Sequence, residues 1–198
     1  MKVAIAEKDR APRFPSSPNI FVLCTGRCGS TTFARAAQHI SNYSAGHETR
    51  THYVGNARFA YPVAHIEADN RLSWLLGRLD AHYGDRAYYV HLQRDLLATA
   101  RSFVKRHDKG ILHAYRTDIL MGASKDLKAD ADFLPVCVDY CQTVTANIEA
   151  FLANKTHQLS FHLETAEADW VRFWDWIEAE GDQQAALREW SVKHNASE

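Results

Sequence analysis

The sequence predicts an α/β fold in which a parallel β-sheet is covered by helices on both faces. Short apolar or aromatic runs of strand length alternate along the chain with longer segments whose apolar residues recur at helical spacing. Strands joined by helices run parallel, and such a sheet is buried on both faces. With 198 residues, of which 46% are hydrophobic, the chain 1–198 has the size and composition of a single globular domain.

Composition restricts the expected partners and location. The net charge is -1 and the pI is about 6.8, so the sequence shows no basic excess of the kind that attracts nucleic acid. Residues 1–18 contain several prolines and charges and are predicted to form an irregular lead-in. Neither this segment nor any other has the apolar run of a signal peptide or a membrane span. We therefore expect a cytoplasmic protein without a membrane span.

Five segments have the pattern of β-strands. Residues 20–24 are wholly apolar, and residues 86–93 are aromatic and β-branched enough to form a central strand. Residues 158–163 alternate between apolar and polar side chains. Two shorter segments, 43–48 and 62–67, end in ionisable side chains. Ligands of open α/β sheets bind beyond the carboxyl ends of the strands, so we expect the functional site there.

Amphipathic spacing predicts the helices. It indicates helices over residues 30–39, 70–82 and 133–153, and a short one at 113–120 beside a mobile loop. Asp95 is predicted to cap a further helix. The buried face of that helix should be formed by Leu96, Leu97, Ala100, Phe103 and Val104.

A last helix is predicted near the C-terminus, where tryptophans recur at helical spacing. Trp170, Phe173, Trp174 and Ile177 form its apolar stripe, and Gly181 is expected to end it. We expect this cluster in the core rather than around a ligand.

The four cysteines fall into two pairs with four-residue spacing, Cys24 with Cys28 and Cys137 with Cys141. A zinc site and disulfides are both considered, but the spacing is not that of a CxxC motif. The second pair also lies on the apolar stripe of a predicted helix, where a free cysteine behaves as a small apolar residue. Free thiols and no metal site are therefore expected.

A glycine-containing turn within residues 20–37 joins the first strand to the first helix. Gly26 and Gly29 allow a tight backbone that comes close to a ligand. The amides that open the helix, which have no acceptor within it, belong to Ser30, Thr31 and Thr32. Such a helix start binds anions, and Arg27 adds positive charge. The alternative is that these residues form only a turn and a helix cap.

The turn departs from the Walker A pattern, because Ser30 and not lysine follows Gly29. It resembles the 5′-phosphosulfate loop of the sulfotransferases, in which a basic residue precedes a small residue, glycine and two hydroxyl residues. In this sequence that run is Arg27, Cys28, Gly29, Ser30 and Thr31. The resemblance implies that these residues, with Thr32, bind the phosphosulfate group.

A second resemblance lies at the end of the predicted central strand. Arg94 leaves that strand, and Ser102 follows eight residues later, about two turns into the next helix. An arginine and a serine at this spacing resemble the sulfotransferase motif that binds the 3′-phosphate of 3′-phosphoadenosine 5′-phosphosulfate (PAPS). Together the motifs imply a PAPS-dependent sulfotransferase, with PAPS as donor and a P-loop NTPase-like three-layer fold around a central parallel sheet.

The sequence departs from the cytosolic members of that family, which carry lysine where Arg27 stands and an adenine-stacking aromatic where Thr32 stands. Adenine is therefore expected at Phe33 or at a side chain of the C-terminal third. The glycine-rich C-terminal phosphate loop of those members has no counterpart here. The loop is more similar to those of bacterial and carbohydrate-acting sulfotransferases, which tolerate arginine and often use glutamate as the base.

Sulfuryl transfer requires in-line positioning, charge stabilisation by Arg27 and a base for the acceptor proton, but no metal. Glu48, at the end of the second predicted strand, is the first candidate for the base, and His47 is the second. Adjacent strand residues point to opposite faces, so at most one of them should reach the site. His65 and Glu67 resemble part of a 2-His-1-carboxylate iron site, but a solvated or acceptor-lining role is expected for them.

Two other functions are consistent with the sequence. One is a small nucleotide kinase or another phosphotransferase, which the missing Walker lysine and the lack of an obvious magnesium-binding carboxylate disfavour. The other is a nonenzymatic nucleotide-binding domain. The acceptor, a small molecule or carbohydrate, is not specified, and a lipid, phenol or peptide stays open. A lid is expected from residues 109–128 or from a partner subunit in a homo-oligomer.

Overall fold

The computed structural model describes residues 17–121 and 133–192, and its centre is a five-stranded, all-parallel sheet. The strands are β1 (Ile20–Leu23), β2 (Ser44–His47), β3 (His65–Ala68), β4 (Tyr88–Gln93) and β5 (Gln158–His162). They lie in the order β2-β3-β1-β4-β5, so β1 is central. The prediction of an α/β fold with a central parallel sheet flanked by helices is confirmed.

Alternate residues of β1 enter two different cores. Ile20 and Val22 pack with the helices of one face, whereas Phe21 and Leu23 pack with those of the other. All four side chains are fully buried, and β1 pairs with β3 on one side and β4 on the other. A strand buried on both faces has a continuous apolar sequence, and this allowed its prediction.

Helices cover both faces of the sheet. They are α1 (Ser30–Ala37), α2 (Leu76–Tyr83), α3 (Leu96–Val104), α4 (Gly110–Ala114), α5 (Leu134–Leu152), α6 (Ala166–Trp176) and α7 (Gln183–Trp190). One core joins α1, α6 and α7 through Phe33, Trp170 and Ala186. The other joins α2, α3 and α5 through Leu79, Phe103 and Tyr140. The core location predicted for the tryptophans of α6 is confirmed, with Trp170 fully buried.

Two predicted elements have different boundaries. The helix predicted over 70–82 is interrupted, because a 3-10 turn (Asn70–Trp74) precedes α2. The Asp69 carboxylate accepts a hydrogen bond from the Arg71 amide and caps that turn, and Leu75, with φ of -123° and ψ of 22°, lies outside the helical region. The strand predicted over 62–67 starts only at His65, because Ala64 has a left-handed φ of 53°.

The short helix predicted over 113–120 begins earlier than expected. Residues Gly110–Ala114 form α4, and a π-helical turn, Tyr115–Ile119, follows it. The predicted lid segment 109–128 therefore starts with ordered helix. Its residues 122–128 lie outside the described part of the chain.

The predicted cap of α3 is confirmed, whereas its predicted buried face is partly wrong. Asp95 accepts a hydrogen bond of 2.7 Å from the Ala98 amide. Ala100 and Phe103 are buried, but Leu96 and Leu97 are 37% and 47% exposed. Leu97 lies about 60° around the helix from Ala100 and about 120° from Phe103, so its side chain points to one side of the buried face.

The sequence interpretation missed α7 and misplaced the end of α6. Helix α6 ends at Trp176, and Glu178 has the left-handed φ of 51° that Gly181 was expected to supply. Gly181 instead approaches the first helix, since a Cβ there would lie 2.2 Å from the His39 carbonyl oxygen. Asp182 then caps α7 by accepting from the Ala185 amide.

All four cysteines are buried and free. Within residues 17–121 and 133–192, no helix has the length and apolarity needed to cross a membrane.

Candidate anion-binding cleft

A cleft of about 710 Å³ opens at the carboxyl ends of the strands. The order of the strands determines which residues form each wall of the cleft. His47 and Glu48 follow β2, Asn70 and Arg71 follow β3, and the loop of residues 26–32 follows the central β1. Beyond β1, the lining comes from the β4 end with Arg94 and Ser102 and from the β5 end with Leu163. The cleft therefore has a β2–β3 side and a β4–β5 side, with the loop between them.

The loop between β1 and α1 has a left-handed backbone at three positions. Gly26, Arg27 and Gly29 have φ values of 84°, 59° and 94°. Glycine tolerates this region, but an arginine there is uncommon and must be stabilised by its surroundings. Gly26 is also required for space, because a Cβ would lie 2.7 Å from Asn70 Nδ2.

Hydrogen bonds to its carbonyl groups fix this loop. The Tyr140 hydroxyl donates to the Thr25 carbonyl over 2.8 Å, and the Thr25 hydroxyl donates to the Gly26 carbonyl over 2.9 Å. Arg94 Nη1 donates to the Arg27 carbonyl over 3.1 Å. The carbonyl groups of three consecutive residues, Thr25, Gly26 and Arg27, are therefore held by hydrogen bonds.

The first turn of α1 provides amides for an anion. The first hydrogen bond of the helix runs from the Phe33 amide to the Gly29 carbonyl over 2.9 Å. The amides of the three residues before Phe33 are therefore outside the helical ladder, and the N-cap residue Gly29 has no side chain to accept from them. These residues, Ser30, Thr31 and Thr32, all line the cleft.

Arg27 connects the loop to the second motif. Its Nε atom donates to the Ser102 hydroxyl over 3.0 Å, while Arg94 holds its carbonyl. Burial, followed by repulsion from Arg106 and Arg94, lowers the pKa of the Arg27 guanidinium. Arg27 is thus repelled by two neighbouring arginines, and an anion bound at its guanidinium would offset that repulsion.

Cys28 is the one predicted loop residue whose side chain does not line the cleft. It is fully buried in the core below the loop, as is Cys24. A hydrogen bond with the Cys28 thiol, together with burial, raises the pKa of the Cys24 thiol well above its ordinary value. Cys28 can therefore meet a ligand only through its backbone.

Both candidate bases reach the cleft, so the expectation that at most one would do so is wrong. His47 Nε2 lies 3.1 Å from the Ser30 hydroxyl, and the Glu48 carboxylate forms an ion pair with Arg71 Nη1. The strand ends at His47, and Glu48 has a left-handed φ of 53°. Strand alternation does not apply past that point, so both side chains turn to the same side.

A buried carboxylate supports the turn that carries these two residues. Glu67 is fully buried and accepts from the Thr49 amide over 2.6 Å and from the Thr49 hydroxyl over 2.8 Å. His65 Nε2 lies 2.9 Å from the same carboxylate. The solvated or acceptor-lining role expected for His65 and Glu67 is therefore wrong, because both are buried and bond within the protein.

A second buried carboxylate lies below the end of β3. Asp69 is fully buried, forms an ion pair with Arg58 and accepts from the Arg71 amide over 2.8 Å. Burial raises the pKa of Asp69, against the opposing effect of Arg58. Together Glu67 and Asp69 fix the backbone on both sides of the Glu48 and Arg71 ion pair.

The cleft is strongly cationic although the chain has a net charge of -1. Among the described residues its lining includes a single carboxylate, Glu48, and seven lysine or arginine side chains. These are Arg27, Arg71, Arg94, Arg101, Lys105, Arg106 and Lys109. Such a concentration of one sign in a concave site attracts a ligand with several negative charges.

The β4–β5 side offers an apolar wall. Phe33 is fully buried, so the expectation that adenine meets Phe33 is wrong. Trp190 of α7 lines the cleft together with Leu163, and its indole nitrogen is buried without a hydrogen-bond partner. Trp190 is thus an aromatic side chain of the C-terminal third at the cleft, and contact of adenine with that third stays a prediction.

Sequence reasoning named the loop, Arg94, Ser102, His47 and Glu48, all of which border one cleft. It missed Asn70, Arg71 and Trp190, as well as the cations Arg101, Lys105 and Arg106. The rule that ligands bind beyond strand ends could have identified Asn70 and Arg71, since both follow β3. Nothing in the sequence indicated Trp190, because its helix was not recognised.

Within the described ranges, no three His, Cys, Asp or Glu side chains are grouped so that they could hold a metal ion. Comparison of the chain with protein-family models, with curated proteins and with solved structures gave no match.

Proposed function

We propose that the protein is a sulfotransferase, which moves a sulfuryl group from PAPS to a hydroxyl or amine of an acceptor. The observation that carries the proposal is the contact of Arg27 with Ser102, together with that of Arg94 with the Arg27 carbonyl. Two sequence motifs that resemble the phosphosulfate and 3′-phosphate motifs are thereby joined around one cationic cleft. If either motif resembled the family pattern only by chance, there would be no reason for the two motifs to lie in contact.

The residues of the cleft fit such a donor. The loop and the α1 amides suit the 5′-phosphosulfate, while Arg94 and Ser102 suit the 3′-phosphate. Trp190 and Leu163 offer an apolar surface against which adenine can pack. The strand order, with the anion loop after the central strand, supports a P-loop type of α/β fold.

The proposed reaction is an in-line displacement at sulfur. The acceptor oxygen or nitrogen forms a bond to sulfur, the bond from sulfur to the bridging phosphate oxygen breaks, and adenosine 3′,5′-bisphosphate leaves. Arg27 and the amides of α1 lie where they can stabilise negative charge on the transferred group and the leaving oxygen.

The acceptor must also lose a proton, and we assign it to the Glu48 carboxylate. Arg71 orients this carboxylate on the β2–β3 side, next to the loop. His47 is the second candidate, because it contacts Ser30 of the loop. A base in this position would receive the proton directly from the attacking group.

A thermal-shift panel tests the proposal. Adenosine 3′,5′-bisphosphate should raise the melting temperature more than ATP with Mg²⁺ or AMP does, because only this ligand carries both phosphates that the motifs bind. Stabilisation by ATP with Mg²⁺ alone would favour a nucleotide kinase instead.

Turnover then separates an enzyme from a binding domain. With ³⁵S-labelled PAPS, wild-type protein should transfer label to an acceptor pool, and Arg27→Ala should not. Tight binding of adenosine 3′,5′-bisphosphate with no transfer to any acceptor would identify a nonenzymatic nucleotide-binding domain. The cytoplasmic location and a homo-oligomeric state remain predictions.

A further inference from the structure

The cationic lining of the cleft extends beyond the groups assigned to the donor. Arg27 and Arg94, with Arg101 one residue before Ser102, surround the two phosphate positions. Lys105, Arg106 and Lys109 follow in the segment between α3 and α4 and also line the cleft. All three have exposed side chains.

Arg106 lies near Arg27 in the lining of the cleft. After burial, it is the strongest cause of the lowered pKa of Arg27, ahead of Arg94. The Arg27 guanidinium therefore has a second cation beside it that neither donor motif includes. On the opposite wall Arg71 projects from the end of β3 and is 40% exposed.

The β2–β3 side, where an acceptor would enter, is polar. Its lining residues are His47, Glu48, Asn70 and Arg71. Asn70 is 8% exposed, and its Oδ1 atom is buried without a hydrogen-bond partner. The apolar residues Leu163 and Trp190 lie on the other side, with the presumed adenine. A flat, uncharged phenol or sterol would find no apolar wall here.

We propose that the acceptor is an anionic hydroxyl compound, whose carboxylate or phosphate is bound by Arg106 and Lys109 while its hydroxyl faces Glu48. The inference rests on the proposed sulfotransferase function and narrows its acceptor. An anionic substituent would be drawn into the cleft by the cations that the donor does not use.

The test separates candidate acceptors by charge before the reaction. Small molecules and oligosaccharides from a cell extract are divided on an anion exchanger into retained and unretained fractions. Each fraction is incubated with the full-length protein and ³⁵S-labelled PAPS. Label should enter the retained fraction at least about tenfold faster, and added salt should reduce that preference. Faster labelling of the unretained fraction, or equal labelling of the two fractions, would overturn the inference.

Phosphatase treatment of the retained fraction distinguishes the two anions. Loss of labelling after treatment assigns a phosphate, and unchanged labelling assigns a carboxylate. Calorimetry with adenosine 3′,5′-bisphosphate on the same preparation tells the two proposals apart. Bound bisphosphate with transfer to neutral acceptors refutes only the anionic acceptor, whereas absence of binding refutes the sulfotransferase as well.

Variants identify the cations involved. Arg106→Gln and Lys109→Gln should each lower the transfer rate at limiting acceptor by about tenfold, with the Kd of adenosine 3′,5′-bisphosphate changed less than about twofold. Arg35→Gln removes an exposed cation of α1 that does not line the cleft and should change neither value. Equal rates for all three variants and wild type would contradict the assignment.

Discussion

Arg27 Nε donates a hydrogen bond to Ser102 Oγ over 3.0 Å, although 75 residues separate the two in the chain. The contact places the side chain of a loop residue on the helix that follows a neighbouring strand. It orients the guanidinium beside the first turn of α1, where Ser30 to Thr32 present their amides.

Arg27→Ala should abolish sulfuryl transfer and weaken donor binding, because it removes a charge that faces developing negative charge. Arg27→Lys should keep part of the activity, since the charge stays but the planar donor group is lost. Labelled PAPS measures the rate, and calorimetry with adenosine 3′,5′-bisphosphate measures binding. Transfer by Arg27→Ala at the wild-type rate would refute the role of the loop.

Arg94→Ala should selectively weaken recognition of the 3′-phosphate. A charge-assisted hydrogen bond contributes roughly 1.5 to 3 kcal/mol, so the preference for adenosine 3′,5′-bisphosphate over AMP should fall by about tenfold or more. Ser102→Ala should shift the preference in the same direction by less. Calorimetry with both nucleotides provides the measurement, and an unchanged preference would mean that the 3′-phosphate binds elsewhere.

Glu48→Gln keeps the shape of the side chain and removes proton acceptance. If Glu48 is the base, the transfer rate should fall by roughly 10² to 10⁴ while donor affinity barely changes. His47→Asn should lose some donor affinity, because His47 contacts Ser30 of the loop.

Arg71→Gln is the control that separates chemistry from structure, because it removes the ion pair and leaves the Glu48 carboxylate in place. Its transfer rate should fall less than that of Glu48→Gln. An equal loss in both variants would show that the ion pair, and not the proton transfer, is needed. Glu149→Gln, on an exposed carboxylate of α5, should match wild type.

His91 predicts how stability depends on pH. Burial, with a smaller effect of His162, lowers the pKa of His91 to about 4. The imidazole is neutral in the folded protein, whereas in the unfolded chain it binds a proton below about pH 6.5. The free energy of unfolding should therefore decrease as the pH falls from about 6.5 to 4, by up to about 3 kcal/mol from this group.

Urea unfolding at several pH values between 7 and 4 measures this effect. His91→Gln lacks the titrating group, so its unfolding free energy should decrease less over the same range, whatever its stability at pH 7. Parallel pH profiles for the variant and wild type would contradict the prediction.

The five strands and the loop could be predicted from the sequence because buried segments have a recognisable apolar pattern. The central β1 is continuously apolar, and the Gly26 and Gly29 turn separates it from α1. The sequence did not predict the break before α2 or the approach of Glu48 and His47 to one cleft. Both depend on backbone dihedrals, at Leu75 and Glu48, that neighbouring residues impose.

The remaining parts of the site depend on tertiary contacts. Helix α7 has a short, mostly polar sequence and is held by a cap at Asp182 and by packing on α1, so its periodicity alone was insufficient. Glu67 and Asp69 are charged residues in buried positions, and their partners Thr49 and Arg58 are distant from them in the chain. Spacing rules cannot foresee such pairs.

Because the Cys28 thiol is buried, its reactivity reports how often the loop opens. A reagent such as iodoacetamide can reach this sulfur only when the backbone of residues 26–29 separates from the core beneath it. The alkylation rate at Cys28, followed by mass spectrometry of its peptide, therefore measures how often the anion loop opens. Any ligand that holds the loop closed would slow that reaction, so occupancy of the cleft could be followed without a labelled substrate and before the acceptor is known.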